Sequence, residues 1–259
     1  MKKLFFILGI LFCMIFSSCV TTTVTAISFP KNVRESFVKI EKYVTTQICT
    51  EEKQQCLSHM MISTGSGSVI GRYAHGSFVL TAAHVCNTNQ PRYSPIKITN
   101  IQIQALDLQL KRYNANIILM DKEIDACLLS VIGLSKKPLK IRDNEYLPGH
   151  KVYNIAAPVG ILNHNLVPLL SGYFLGVEGK RALYSIPAAG GSSGSPIIDE
   201  NGKLTGMIHS VNILFPMITV SSTLDDLKKF TYEAIQYYHL QNLEEMRRSS
   251  SRRRPELGY

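Results

Sequence analysis

Gly190-Gly191-Ser192-Ser193-Gly194-Ser195-Pro196-Ile197-Ile198 is the stretch on which the reading of this chain turns. Small residues packed this densely let the backbone turn tightly and approach a ligand closely, which larger side chains prevent. Hydroxyls sit inside the turn, and Pro196-Ile197-Ile198 then opens an apolar run that reads as a strand. A small-residue turn before a strand is, by itself, an ordinary loop. Two upstream stretches change its meaning. Thr81-Ala82-Ala83-His84 and Asp125-Ala126-Cys127-Leu128-Leu129 put a histidine and an aspartate ahead of the serines, in the order His, Asp, Ser.

Acyl transfer at neutral pH needs an activated hydroxyl, a base for its proton, a carboxylate that holds the base in one tautomer, and donors for an oxyanion. His84 ends an apolar strand, where the small Ala82 and Ala83 allow close packing against a neighbour. Asp125 stands at the entrance of the apolar run D-A-C-L-L-S-V, where a half-buried carboxylate requires a partner; Asp107 and Asp121 are the competing carboxylates. Ser193 is the expected nucleophile in preference to Ser192 and Ser195. With Gly191 and Gly194 flanking it, the amides of Gly191 and Ser193 are able to converge on one oxyanion.

The surroundings are rich in short strands. Residues 36–46 read as a short helix or a strand. Strands are expected over 60–70, 77–82, 96–110, 116–120 and 126–132. After Lys136-Lys137-Pro138 a second set follows, over 151–157, 167–176, 181–186, 196–198, 203–211 and 216–220. Many short strands separated by Gly, Pro and Asn turns point to a barrel or sandwich. Helical spacing appears only from Leu224, with Leu227, Phe230, Ala234 and Ile235 on one stripe.

T-A-A-H, D-A-C-L-L and G-S-S-G-S-P resemble the three signatures of the trypsin-like (chymotrypsin-fold) serine proteases. Gly65-Ser66-Gly67-Ser68-Val69-Ile70, Asp121-Lys122-Glu123-Ile124-Asp125, Ala157-Pro158-Val159-Gly160 and Ser171-Gly172 are similar to supporting stretches of the bacterial HtrA-type and glutamyl-endopeptidase branches. The resemblance spans roughly residues 35 to 235. It implies an all-β fold of two six-stranded antiparallel barrels with a C-terminal helix. His84, Asp125 and Ser193 would form a triad between the barrels, and Gly191 and Ser193 would supply the oxyanion hole. It also implies a serine endopeptidase acting on a protein or peptide substrate, with no metal and no organic cofactor.

There are departures. Ser192 stands where digestive members carry an Asp, which excludes activation by an ammonium paired with that Asp. No PDZ-like segment is expected after the protease region. Pro187 occupies the position of trypsin's pocket Asp, which argues against an Arg/Lys preference. His209 lies in G-M-I-H-S-V, the strand where glutamyl endopeptidases read a substrate carboxylate, but one residue further from Gly206. A one-residue slip in a strand reverses the face, so Ile208 is expected to line the pocket and favour a small or apolar residue. The competing readings are a binding protein with a protease fold and a protease limited to itself or one partner. The intact His84, Asp125 and Ser193 favour the enzyme.

At 259 residues the chain is long enough for a sizeable core. Its expected segments are a leader over 1–26, a first barrel over 27–140, a second over 141–222, a helix over 223–247 and a disordered basic tail over 248–259. Lys2 and Lys3 precede thirteen apolar residues ending at Phe16, the length of a signal-peptide core and short for a bilayer span. Val24-Thr25-Ala26 suits a signal peptidase, whereas Ser17-Ser18-Cys19 resembles a lipoprotein box that would lipidate Cys19. The chain is therefore expected to be exported: secreted, periplasmic or membrane-anchored. Much of the net charge of +9 belongs to the leader and to Arg247, Arg248, Arg252, Arg253 and Arg254. That tail stays solvated or touches anionic lipid; nothing aromatic is interleaved for nucleic acid. Outside the leader four cysteines remain, an even number where disulfides persist. Cys49 and Cys56 are placed to staple a hairpin. Cys86 and Cys127, each two residues after a triad candidate, either meet behind the site or remain buried thiols.

Overall fold

A computed structural model of the chain describes residues 31–50, 55–88, 96–144, 146–212, 214–215 and 217–252. The leader with Cys13 and Cys19, and tail residues 253–259, lie outside the described residues. A short helix α1 (Lys31–Glu35) leads into six strands: β1 (Phe37–Thr50), β2 (Gln55–Tyr73), β3 (Gly76–Ala82), β4 (Ile96–Leu106), β5 (Arg112–Asp121) and β6 (Ala126–Ile132). They close as an antiparallel barrel in the order β1-β2-β3-β6-β5-β4. The ambiguous segment from Ser36 is a strand, because Phe37, Val38 and Ile40 are fully buried in the barrel and its ladder with β2 is unbroken. In that ladder Cys49 is paired with Cys56; the side chain of Cys49 lies outside the described residues.

The second half holds β7 (Lys151–Ile155), β8 (Leu169–Glu178), β9 (Arg181–Tyr184), β10 (Pro196–Ile198), β11 (Leu204–Met207), β12 (Ser210–Val211) and β13 (Thr219–Ser222). They form one seven-stranded sheet, β11-β10-β7-β8-β9-β13-β12. Six strands were expected here; the seventh arises because the run 203–211 breaks at Ile208-His209. On one side of the break β11 pairs with β10, and on the other β12 pairs with β13. At the break itself the backbone serves the Ser193 turn: Gly194 N–H donates to Ile208 O and Ile208 N–H to Ser195 O.

The helix α3 (Leu224–Arg252) starts where the spacing predicts and runs past residue 247, so residues 248–252 continue the helix instead of belonging to a disordered tail. Thr223 caps it: its Oγ1 accepts the Asp226 N–H at 3.2 Å and donates to the Asp226 carboxylate at 2.7 Å. Asp225 and Asp226 complement the positive end of the helix dipole. Its apolar stripe, Leu227, Phe230 and Ala234, enters a core shared by the barrel (Phe37, Leu80, Leu128) and by Ile155, Ile198 and Met207 of the second half. Burying each of these large side chains contributes roughly 1.5–3 kcal/mol. Among the described residues, no helix is long and apolar enough to cross a membrane.

Cys86 and Cys127 are joined by a disulfide across a separation of 41 residues. It ties α2 (Ala83–Cys86) to β6 and resolves the thiol alternative. Closing a loop of this length in the unfolded chain is worth about 2–4 kcal/mol. The Cys86→Ala/Cys127→Ala double variant is accordingly expected to lose that much stability in urea unfolding, with the native sheet content retained in circular dichroism.

Candidate active site

The histidine and the aspartate meet because of strand register. β3 and β6 are antiparallel neighbours, with Thr81 opposite Cys127 and Ala82 opposite Ala126. The end of one strand therefore lies beside the start of the other. Ala83 N–H donates to Asp125 O at 3.1 Å, and His84 N–H donates to Asp125 Oδ1 at 2.9 Å. The ring closes the arrangement, with His84 Nδ1 at 2.7 Å from Asp125 Oδ2. Asp125 achieves this in the left-handed region (φ +49°), a conformation that Asp tolerates better than most residues and that clusters at functional positions. The other carboxylates are already committed. Asp107 Oδ1 accepts the Gln109 and Lys111 N–H groups while Oδ2 meets Tyr113 and Lys136. Asp121 Oδ1 accepts the Glu123 and Ile124 N–H groups in a turn.

The three serines of the turn are told apart by burial. Ser192 and Ser195 are at most 1% exposed. The Ser195 Oγ accepts Asn154 Nδ2 at 2.8 Å, and the Ser192 Oγ accepts the Ala189 N–H at 3.4 Å. Ser193 is half-buried, on the accessible side of the turn. Its neighbours fix the peptide planes. Gly190 O accepts the Val159 N–H at 2.5 Å and Ser192 O accepts the Ser195 N–H at 3.0 Å. Because a trans peptide points its N–H opposite its carbonyl, the Gly191 and Ser193 N–H groups are directed away from these bonds. Among the described residues no backbone acceptor takes either of them. Gly191 (φ +92°) and Gly194 (φ +86°) are required here: a Cβ would lie 2.5 Å from Ala157 O at the first and 2.1 Å from Ser66 O at the second.

Ser66 holds the two halves together, and only its place in the G-S-G-S-V-I stretch hinted at it. It is fully buried in β2. Its N–H donates to Ser193 O (2.7 Å), its Oγ donates to Gly191 O (2.8 Å) and accepts the Ala157 N–H (3.0 Å), and its carbonyl accepts Thr81 Oγ1 (2.7 Å). One residue thus anchors the Ser193 turn, the Ala157-Pro158-Val159-Gly160 turn and the strand that leads into His84.

The pocket candidates fall in different places. Pro187 is half-buried between β9 and the Ser193 turn. Ile208 is 1% exposed and clusters with Val152, Phe174, Ile186 and Ile197, with Ala188 packed against the cluster. His209 lies on the carboxylate side, its Nδ1 3.8 Å from Asp125 Oδ2. His84 and Asp125 line a cleft of about 310 Å³ with Ala83, Asn87 and Lys122. Volume does not locate the chemistry: a groove of about 610 Å³ between the β2–β3 turn and α3, lined by Tyr73, His75, Tyr238 and His239, holds none of these residues. Among the described residues no group of three His, Cys, Asp or Glu side chains is arranged to hold a metal ion.

Burial pushes the Asp125 carboxyl up, but the His84 ring donor, its backbone N–H and its charge, with His209 behind, hold it below the usual carboxylate range. Burial pushes the His209 imidazole down; Asp125 opposes this and His84 adds to it, leaving the ring below its ordinary value. Each group binds fewer protons folded than unfolded, so stability is whole above the unfolded values and is lost as pH falls. The His209 loss begins near pH ~6.5 and the Asp125 loss near pH ~4. In urea midpoints measured from pH 7 to 3, His209→Gln is expected to remove the first loss and keep the second, and Asp125→Asn to remove the second. Ser66→Ala orphans the buried Gly191 O and Ala157 N–H. It is expected to cost about 1–3 kcal/mol per orphaned group in the same assay.

A trypsin-like peptidase domain model matches residues 65–207, from the glycines of β2 to the end of β11. Among solved structures the chain is similar to the Rv3671c protease of M. tuberculosis in its active form, with TM-score 0.54 and 19% identity over 74% of this chain and 77% of that one. It is also similar to a serine-to-alanine variant of Rv3671c in an inactive form, with TM-score 0.55 and 18% identity over 78% and 87%. At such identities the likeness is one of fold. No curated protein sequence matches this one.

Proposed function

The chain belongs to the trypsin-like peptidase domain family, whose model covers more than half of it, and from that premise we propose that it is an exported serine endopeptidase with His84, Asp125 and Ser193 as its triad. One observation carries the assignment. A histidine is held by a carboxylate at 2.7 Å on the half of the molecule whose buried Ser66 bonds a turn in which only one of three serines is accessible.

Ser193 Oγ attacks the scissile carbonyl carbon while His84 Nε2 takes its proton, and the carbonyl oxygen becomes the oxyanion. Asp125, bonded to Nδ1–H, holds the ring in the tautomer that leaves Nε2 free and offsets the charge of the imidazolium. The Gly191 and Ser193 N–H groups, left without backbone acceptors by the locked planes of the turn, receive the oxyanion. Each such donor is worth roughly 100- to 1000-fold in rate. His84 then gives its proton to the leaving amine as the C–N bond breaks, leaving an acyl group on Ser193. Water repeats the sequence and releases the acid.

The position of His209 against Asp125 gives no support to a carboxylate-reading pocket of the glutamyl-endopeptidase kind. Uncharged Pro187 and the buried Ile208 favour a small or apolar residue at the cleavage site. Export is supported by the Lys2-Lys3 start and its apolar run, and by a Cys86–Cys127 bond of the type that persists in oxidising compartments. Membrane attachment through Cys19 or the Arg-rich tail belongs to the same reading.

The test is fluorophosphonate labelling of the purified chain. The wild type is expected to label and Ser193→Ala not, while His84→Ala lowers kcat on a peptide ester by about 10⁴- to 10⁶-fold with the fold intact. A folded wild-type chain that does not label overturns the assignment and favours a binding protein built on a protease fold.

A further inference from the structure

Asn154 lies in β7 and is fully buried. Its strand neighbours Val152 and Ile155 and its register partner Ile197 are apolar and equally buried. An amide in such surroundings is costly unless its polar atoms find partners.

The amide faces one way. Its Nδ2 donates to Ser195 Oγ at 2.8 Å and to Pro196 O at 2.9 Å. A carbonyl only accepts, so the contact with Pro196 fixes which end of the amide meets the turn. Its Oδ1 is left buried, with no hydrogen-bond partner among the described residues. A buried acceptor without a partner weakens a fold, and a leucine of similar size avoids that cost. What the amide supplies in return is two donated bonds to the residues that follow Ser193-Gly194.

Those bonds act on Ser195. Its side chain receives Asn154, its N–H donates to Ser192 O at 3.0 Å, and its carbonyl accepts the Ile208 N–H at 3.0 Å. The bond to Pro196 O holds the start of β10 against β7 and keeps Ser195 in reach. Ser192 O and the Ser193 N–H belong to one peptide plane and point in opposite directions. The place of Ser195 therefore sets the direction of the Ser193 N–H. Two hydrogen bonds lead from Asn154 to that plane, one into Ser195 Oγ and one from Ser195 N–H to Ser192 O. The next plane is held from the other half of the molecule, where Ser66 N–H donates to Ser193 O. The two planes that flank Ser193 are thus held from opposite sides, by Ser66 in the barrel and by Asn154 in the sheet.

Resting on the serine-endopeptidase reading, we propose that Asn154 is a positioning residue for the reaction, which acts through Ser195 to aim the Ser193 N–H at the oxyanion. Being fully buried, it touches neither substrate nor reacting atoms. The oxyanion exists only as the tetrahedral species forms. A misaimed donor therefore slows acyl transfer and leaves binding of the ground state unchanged. A displacement of about 1 Å at a reacting centre is enough for a loss of about 100-fold.

The experiment measures kcat and KM of the full chain on a peptide ester. Enzyme is counted by fluorophosphonate labelling run to completion, so that only folded, reactive molecules enter the rate. Asn154→Leu, which removes both donors at similar size, is expected to lower kcat by about 10- to 100-fold with KM within about 2-fold. A peptide aldehyde, whose adduct with Ser193 puts an oxygen at the oxyanion position, is expected to lose affinity by the same factor. The matching peptide alcohol forms no adduct and is expected to bind within about 2-fold of its wild-type affinity. Ser195→Ala removes the intervening hydroxyl and is expected to lower kcat in the same way. The double variant then loses less than the product of the two single losses, because the residues act in series. Should Asn154→Leu not fold, Ser195→Ala decides alone.

An unchanged kcat per labelled serine in either variant overturns the proposal, whatever happens to stability. So does a raised KM at unchanged kcat, or an alcohol that weakens as much as the aldehyde, since Asn154 then shapes the pocket. A wild-type chain that does not label overturns the endopeptidase reading and this inference with it. A wild type that labels, beside variants with unmoved kcat, overturns this inference alone.

Discussion

One buried residue, Ser66, holds together the parts on which the site depends. Its three polar groups make four hydrogen bonds, which meet the Ser193 turn at two points, the Ala157–Gly160 turn at one and Thr81 at another. A fully buried hydroxyl without partners would be costly, and here it is satisfied only when both halves of the molecule are docked. The same bonds orient the peptide planes around Gly191, so the geometry of the turn and the docking of the two halves are one structural event. The glycines on either side of Ser193 follow from this, because Gly194 packs its α-carbon against the Ser66 carbonyl with no room for a Cβ.

The His84–Asp125 pair has a different origin. It is a product of register within the first barrel, where β3 and β6 run antiparallel and bring the end of one to the start of the other. The disulfide two residues beyond each partner, Cys86 to Cys127, fastens the same junction covalently. Asp125 occupies the left-handed region to turn both oxygens toward His84. The cost of that backbone conformation is offset by two hydrogen bonds to the carboxylate and one to its carbonyl. The result is a pair on the first half held by strand register, the disulfide and these three bonds.

The second half is shaped by the demands of that turn. A continuous strand from Lys203 to Val211 would leave Gly194 N–H and Ser195 O without partners. Breaking it at Ile208-His209 turns this backbone toward the Ser193 turn and hands the chain from β10 to β13. The two side chains at the break then go separate ways. Ile208 enters the small apolar cluster with Ile186 and Ile197, while His209 turns back to the carboxylate of Asp125. A single local irregularity thus serves the turn, the apolar cluster and the electrostatics of the pair.

Much of this was legible in the residues alone. The strand-rich class and the onset of the helix at Leu224 follow from apolar periodicity and turn residues, which are local properties of the chain. The T-A-A-H, D-A-C-L-L and G-S-S-G-S-P stretches and their order, together with the family resemblance, were enough to nominate His84, Asp125 and Ser193, because each carries a residue type its chemistry requires among small or apolar neighbours. What sequence could not decide is what depends on partners distant along the chain. That Asp107 and Asp121, the competing carboxylates, are consumed in turns and ion pairs is visible only in the folded chain. That the core buries the hydroxyls of Ser192 and Ser195 and leaves Ser193, the residue preferred in the sequence, partly accessible is a fact of packing. The face of His209, the pairing of Cys86 with Cys127 and the central place of Ser66 depended likewise on contacts between residues far apart in sequence. Local pattern sets which residues are able to act, and tertiary packing, by satisfying some polar groups and leaving others open, decides which of them remain free to do so.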